Sequence, residues 1–266
     1  MRAEVESWVC GTKAYHDPGR SPSAPPKNGA VDALWLVGSG DPLLATPEYT
    51  AHLVAEPRTR DTPVTPIATL ADALQDFLQR IGAARPVLVG HSIGGMIVQQ
   101  WLVKYPQGAG AVVLAQTSPA FGKPDGDWQK SFLDARLGPL DRGETLAALA
   151  PSLVAELVGD DPDASGVALA RDCMADIPEA SYRASMLALL GFDQRNALKD
   201  INIPTLVLSG SRDKNAPAPM MAKMATYIPT ASYVELEGAG HLVNLERPQA
   251  FNAALDQFLK TIEVAA

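Results

Sequence analysis

The sequence has few of the residues that build metal sites and disulfide frameworks, and it has no concentration of positive charge. Its 266 residues include two cysteines, Cys10 and Cys173, and four histidines, with no metal-ligand spacing such as C-x-x-C. The formal charge is −8, so a phosphate backbone or an anionic membrane surface would be repelled. These features predict free thiols, no metal site and no nucleic-acid partner.

Long apolar runs are also missing, since no stretch approaches the roughly eighteen apolar residues of a membrane span. The first residues carry Glu4, Glu6 and Lys13, where a signal peptide has an apolar core. Hydrophobic residues nevertheless make up 47% of the chain, enough to bury a large core. We expect a soluble cytoplasmic protein with no membrane partner. A homo-oligomer is compatible with the sequence, which does not specify the oligomeric state.

Apolar patterns alternate between strand and helix over most of the chain. Buried runs typical of strands occupy 31–37, 86–89, 111–115, 203–210 and 232–236. Helical spacing occupies 70–81, 95–105, 217–227 and the segment from Pro248 onward, and a first hairpin is predicted within Glu4 to Tyr15. This alternation predicts an α/β fold, a mostly parallel sheet with helices on both faces.

Residues 121–200 interrupt the alternation with helical patches around 128–137, 145–158, 167–174 and 181–190, and with no strand signal. We interpret this segment as an inserted helical lid. Residues 1–120 and 201–266 then form the core domain.

The most informative stretch is the turn Gly90-His91-Ser92-Ile93-Gly94, which follows an apolar strand and opens an amphipathic helix. Glycines on both sides of the serine allow a sharp bend that raises its hydroxyl above the sheet, over helix N-terminal amides. We interpret Ser92 as a nucleophile at a nucleophile elbow. A turn that only packs the helix against its strand is the alternative.

A serine hydroxyl needs a base within hydrogen-bond reach, and the base needs an acid that orients it. His16 and His52 lie in the irregular N-terminal quarter, and the side chain of His91 is expected to point away. His241 remains, in a glycine-flanked loop after a predicted strand, although a surface histidine is the alternative reading. Asp213 also follows a strand end, and in open α/β sheets such ends meet at one crevice.

Three segments resemble the α/β-hydrolase superfamily in the chain order Ser, Asp, His: Gly-His-Ser-Ile-Gly-Gly, Leu-Ser-Gly-Ser-Arg-Asp-Lys-Asn-Ala-Pro and Gly-Ala-Gly-His-Leu-Val-Asn-Leu-Glu-Arg-Pro. The resemblance implies a catalytic triad in which Ser92 is the nucleophile, His241 the general base and then acid, and Asp213 the residue that orients His241. Asp193 and Asp200 are weaker candidates for the acid because neither follows a strand.

The N-terminal quarter departs from the family pattern, which has His-Gly after the third strand and a later Asp-x-Arg-Gly-x-Gly-x-Ser segment. The resemblance implies one oxyanion-hole amide at Ile93, and the nearest equivalent of the second lies at Ser39. One hypothesis is that 20–66 reflect a compensated reading-frame shift or another artefact; the other is true divergence. The remaining reading frames of the DNA would distinguish them.

By this resemblance the protein is a cofactor-independent serine hydrolase that cleaves a small or medium carboxylic ester or lactone through an acyl-enzyme. Carbon-carbon bond and enol-lactone hydrolases of aromatic degradation pathways share these motifs, as do cofactor-free haloperoxidases and hydroxynitrile lyases. The serine nucleophile argues against haloalkane dehalogenases and epoxide hydrolases. A hydrolase-like protein that binds a small molecule with little turnover is the alternative from another class.

The substrate itself is not specified by these motifs. The candidate substrate-binding side chains, in or beside the predicted lid and the histidine loop, are Phe121, Trp128, Met186 and Leu242. An apolar stripe at helical spacing is also typical of ordinary core. Arg136, Arg171 and Arg183 are each candidates for recognising a carboxylate or phosphate.

Overall fold

The computed structural model describes residues 66–80, 83, 85–124 and 126–263, together with three short strands nearer the N-terminus. The strands are β1 (Trp8–Val9), β2 (Thr12–Lys13), β3 (Ala33–Leu36), β4 (Val87–His91), β5 (Ala111–Ala115), β6 (Thr205–Gly210) and β7 (Ala231–Leu236). The helices are α1 (Ile67–Arg80), α2 (Ile93–Lys104), α3 (Asp127–Asp141), α4 (Leu146–Leu157), α5 (Ala164–Asp176), α6 (Glu179–Ala188), α7 (Ala218–Thr226), α8 (Val243–Glu246) and α9 (Pro248–Glu263).

Within those residues, five strands form one parallel sheet in the order β3-β4-β5-β6-β7. Every residue of β4, β5 and β6 is buried, as expected for central strands covered by helices on both faces. The predicted α/β fold is therefore confirmed. The predicted first hairpin is present as the antiparallel pair β1 and β2.

The alternating side chains of the strands enter two separate apolar clusters. Leu88, Val112 and Val207 face the cluster that includes α1, α2 and α7. Their strand neighbours, among them Val89 and Leu206, face the opposite cluster, which is completed by α9. The period of two along each strand thus matches the two helical layers, and a fully buried Leu or Val contributes roughly 1.5–3 kcal/mol.

The segment between β5 and β6 is helical, as predicted, and consists of α3 to α6 with a 3-10 turn at Leu198–Asp200. Local caps determine where two of these helices begin: the Thr145 hydroxyl accepts a hydrogen bond from the amide of Ala148, and the Asp163 carboxylate accepts one from Gly166. These helices bury a third apolar cluster, to which Leu242 and Leu245, from the segment that follows β7, also belong. No helix in the described ranges has the length and apolar character needed to cross a bilayer.

Candidate active site

Ser92 lies in a strained turn between β4 and α2, with φ 53° and ψ −121°. The turn depends on close backbone approaches: a Cβ on Gly90 would lie 2.6 Å from the Cα of Gly95, and one on Gly95 would lie 2.6 Å from the Thr117 side chain. The Thr117 hydroxyl donates to the Ser92 carbonyl at 2.7 Å, and the Ser92 amide donates to the Ala115 carbonyl at 3.0 Å. The close approach of α2 and the hydrogen bonds to β5 and to Thr117 therefore hold the serine in this conformation.

Ser92, His241 and Asp213, which the sequence places far apart, form one hydrogen-bonded chain. The distance from Ser92 Oγ to His241 Nε2 is 2.9 Å, and that from His241 Nδ1 to Asp213 Oδ2 is 2.8 Å. The other carboxylate oxygen of Asp213 accepts the amides of Asn215 at 2.7 Å and Ala216 at 3.0 Å. The ionised carboxylate accepts a hydrogen bond from Nδ1–H, which fixes the ring proton on Nδ1 and leaves Nε2 free to accept the serine proton.

The carboxyl group of Asp213 is the charged component of this chain, and its side chain is 0% exposed. Burial by itself raises its pKa, but the charge and hydrogen bond of His241 and the two backbone amides lower it, so that the pKa lies below its ordinary value. Asp213 is consequently ionised at neutral pH and stabilises a positive charge on the neighbouring imidazole.

The carboxylate of Glu246, in the short helix α8, organises the loop that carries the histidine. Its oxygens accept the amide of Gly159 at 2.6 Å, that of Gly240 at 2.9 and 3.0 Å, and that of Leu242 at 3.0 Å. Burial raises the pKa of Glu246, and these amides offset part of the effect. The carboxylate thereby joins the loop on both sides of His241 to the chain that leaves α4.

Two further buried side chains bind the backbone of the histidine loop. Nε2 of His91 donates to the carbonyl of His241 at 2.7 Å, and the two imidazole rings lie 5.2 Å apart. The Gln116 amide donates to the Gly240 carbonyl at 3.1 Å, and the backbone amide of His241 donates to Leu157 at 2.6 Å. His91 is not among the described residues that line the cavity with Ser92, and its ring instead binds the backbone of the histidine loop. This supporting contact was not predicted from the sequence.

Ser92 and His241 open into a cavity of about 130 Å³ beneath the helices α3, α5 and α6. Its walls are mostly apolar and include Met96, Phe121, Trp128, Phe132, Met174, Met186 and Leu189. The rings of Phe121, Trp128 and Phe132 contact one another, with centroids 5.2 to 5.5 Å apart.

Three of the four predicted substrate-binding side chains lie in the cavity wall. Phe121, Trp128 and Met186 line the cavity, whereas Leu242 is only 2% exposed and packs into the apolar cluster of α4 and α5 instead. This position overturns the prediction that Leu242 contacts substrate. It follows from the loop geometry, which turns the residue after His241 inward.

The alternative acids do not reach the histidine: the Asp193 carboxylate binds the Arg195 guanidinium at 2.9 Å, and Asp200 is exposed. The backbone amide of Ile93 is at the first position of α2, where no preceding helical turn supplies an acceptor. Ser39 lies outside the described residues, as do His16, His52, Cys10 and nearly all of 20–66. Across the part of the chain that the structure describes, no group of three His, Cys, Asp or Glu side chains is placed to hold a metal ion.

Comparison with known proteins assigns the family. Residues 30–254 match the sequence model of the alpha/beta hydrolase family. The chain belongs to the alpha/beta hydrolase family. Relatives of this hydrolase include a pimeloyl-[acyl-carrier protein] methyl ester esterase of Chromobacterium violaceum, 29% identical over 82% of this chain and 86% of the relative. A 3-oxoadipate enol-lactonase 2 of Acinetobacter baylyi is 27% identical over 75% of this chain and 73% of the relative.

Solved structures agree on the fold of the hydrolase. The enol-lactonase from Burkholderia xenovorans LB400 superposes with a TM-score of 0.71 at 22% identity, over 88% of this chain and 92% of that one. Family membership, with esterase and lactonase relatives, supports a hydrolase enzyme.

Proposed function

We propose that the protein is a serine hydrolase that cleaves a small or medium carboxylic ester or lactone, with Ser92, His241 and Asp213 as its catalytic triad. The observation that carries the proposal is the hydrogen-bonded chain of 2.9 and 2.8 Å at the floor of an apolar cavity. A hydroxyl in this position has its base already within reach, and the base has its tautomer fixed.

The proposed reaction has two halves. Ser92 Oγ attacks the carbonyl carbon while its proton passes to His241 Nε2, and the imidazolium then gives that proton to the departing alcohol, which leaves an acyl-serine. In the second half, water attacks the acyl carbon, its proton passes to Nε2 and then to Ser92 Oγ, and the carboxylic acid is released. The carbonyl oxygen becomes negatively charged in both halves. The Ile93 amide is the proposed first donor to it, and Ser39 the second.

The helices α3 to α6 are proposed to act as the lid over this site. Together with the residues that flank them in 121–200, they supply most of the apolar cavity wall, including Phe132, Met174 and Met186, whereas the core supplies the reacting groups. Substrate choice would then reside in 121–200, and the chemistry in 1–120 and 201–266. A cavity of about 130 Å³ suits a short acyl or lactone group.

Within the proposed class, a lactone substrate is favoured by the relative named 3-oxoadipate enol-lactonase 2. Attack on a lactone follows the same steps, except that the released alcohol stays attached to the acyl group. The same triad geometry is also compatible with a protein that binds such molecules with little turnover.

Hydrolysis of p-nitrophenyl acetate and butyrate tests the proposal. We expect turnover, or a burst of about one equivalent, that falls at least about 10³-fold in Ser92→Ala. Ser152→Ala, which changes an exposed serine of α4, is the matched control and should retain full activity. No turnover and no burst in a folded wild-type protein would contradict the enzyme and support the binding protein.

A further inference from the structure

Arg136 of α3 is the one permanently charged side chain among the residues that line the cavity in the described part of the chain. Its side chain is only 11% exposed, although the surrounding wall is mostly apolar. A charge withdrawn from water costs free energy unless a partner of opposite charge or several hydrogen bonds compensate for it. The contacts of Arg136 therefore show whether this guanidinium is already satisfied.

The protein satisfies the Arg136 guanidinium only in part. Its nearest charge is Oε2 of Glu156, 3.2 Å away, on a side chain that is 66% exposed and hence screened by water. The guanidinium carbon also lies 5.5 Å from the ring centre of Phe132. Arg136 donates no hydrogen bond of good geometry to any residue that the structure describes, so the guanidinium N–H groups are available to a ligand.

Tyr182 of α6 lines the same cavity and adds a second donor. The residue is 3% exposed, and its hydroxyl has no hydrogen-bond partner among the described residues. Burial raises its pKa, with a smaller opposing effect from the charge of Arg136, so the phenol is neutral and can donate at neutral pH. A guanidinium and a phenol in one cavity together fit an anion with two oxygens.

The other two arginines considered from the sequence do not offer such a site. Arg171 is exposed, and the Arg183 guanidinium is held by Glu179 at 2.8 Å and Asp141 at 2.6 Å. Of the three arginines considered from the sequence, only Arg136 shares a cavity with the reactive serine.

We propose that Arg136, together with Tyr182, binds a carboxylate that the substrate carries in addition to the bond that Ser92 cleaves. The substrate class is thus a half-ester of a dicarboxylic acid, or a lactone with a free carboxylate. One planar guanidinium pairs with one carboxylate through two parallel hydrogen bonds, whereas a phosphate dianion would call for further charge that this cavity lacks. The proposal rests on the proposed function, because it concerns the substrate of the same serine.

The test compares mono-p-nitrophenyl glutarate with p-nitrophenyl valerate, which have acyl chains of equal carbon number and differ in the terminal carboxylate. The readout is the ratio of their kcat/KM values. We expect the wild type to favour the charged ester and Arg136→Met to lower the ratio about 10- to 100-fold, as loss of a charge-assisted hydrogen-bonded pair predicts. Arg136→Lys should retain part of the preference.

Two further variants sharpen the comparison. Glu156→Gln should raise the ratio by up to about 5-fold, because an exposed competitor for the guanidinium is removed. Arg171→Met, the matched control, removes an equal charge outside the cavity and should leave the ratio unchanged. A wild-type ratio no greater than that of Arg136→Met, with both esters cleaved by Ser92, would overturn the carboxylate site and leave the hydrolase proposal standing.

Binding to Ser92→Ala tests the site even if neither ester is cleaved. By calorimetry, monomethyl glutarate should bind this variant at least about 10-fold more tightly than methyl valerate. The difference should disappear when Arg136→Met is added. Equal affinity for the two compounds in Ser92→Ala would overturn the proposal whatever the outcome of the hydrolysis assays.

Discussion

Replacement of Asp213 by Asn is the most instructive perturbation of the proposed triad, because the structure specifies which way the new side chain turns. Oδ1 of Asp213 accepts the amides of Asn215 and Ala216, at 2.7 and 3.0 Å. The Asn carbonyl is expected to keep these two bonds, so its NH₂ group faces Nδ1 of His241. Nδ1 then has to accept a hydrogen bond, and the ring proton moves to Nε2, opposite Ser92.

The expected fall in activity follows from the loss of the general base. A protonated Nε2 of a neutral imidazole cannot take the serine proton, and the reaction must proceed through the disfavoured tautomer. In serine proteases with the same triad, this substitution lowers kcat about 10⁴-fold. We expect a fall in kcat/KM of about 10³- to 10⁴-fold for Asp213→Asn, or roughly 4 to 5.5 kcal/mol of transition-state free energy.

The same substitution alters the pH dependence of stability. The pKa of Asp213 is lowered in the folded state, so its ionised form adds to the free energy of unfolding above the ordinary pKa of about 4. This contribution is lost as the pH falls through the lower, folded-state pKa. The stability difference between wild type and Asp213→Asn due to this charge should therefore be present at pH 7 and decrease below about pH 4.

Initial rates with p-nitrophenyl butyrate, and urea unfolding followed by circular dichroism at several pH values, measure both effects. The matched controls are Asp193→Asn and Asp200→Asn, which change the other two candidate acids and should alter kcat/KM by less than about 3-fold. Retention of more than one-tenth of the activity in Asp213→Asn would refute the tautomer argument. So would an equal loss in either control.

Two further substitutions test the loop and the cavity. Glu246→Ala deprives three backbone amides, two of them buried, of their acceptor. The free energy of unfolding, measured in urea, should fall by about 3 kcal/mol or more, and kcat should fall about 10-fold or more because His241 loses its position. Glu144→Ala, which changes an exposed glutamate, is the control, and an unchanged kcat in Glu246→Ala would contradict this role. Trp128→Ala removes part of the apolar wall of the cavity, so it should raise KM for p-nitrophenyl butyrate several-fold more than KM for p-nitrophenyl acetate. Equal changes in KM for the two esters would indicate that Trp128 does not contact the acyl chain.

The sheet and the proposed triad were predictable from the sequence because short, contiguous segments of the chain indicate them. The buried runs of β4, β5 and β6 are bounded by turns, and each predicted active-site residue follows a strand end. Parallel strands then bring those ends to one edge without any further information. The same reasoning makes Asp193 and Asp200 weaker candidates than Asp213, and Asp213 is the acid that binds His241 in the structure.

The supporting residues were not predictable, since their partners are distant along the chain. Glu246 looks like any acidic residue of a short polar turn until Gly159 is placed beside it. The sequence around His91 gives no sign of its partner, which is the carbonyl of His241, 150 positions later. Leu242 lies beside the predicted catalytic histidine in the sequence, and only the packing of α4 and α5 shows that its side chain belongs to the core.

Labelling with a fluorophosphonate, followed by peptide mapping at several reaction times, tests the central claim most directly. If His241 activates Ser92, about one equivalent should attach to the peptide that contains Ser92, and the labelling rate should fall at least about 10²-fold in His241→Asn. Labelling of another residue, an equal rate in His241→Asn, or no labelling of the folded wild-type protein would contradict it.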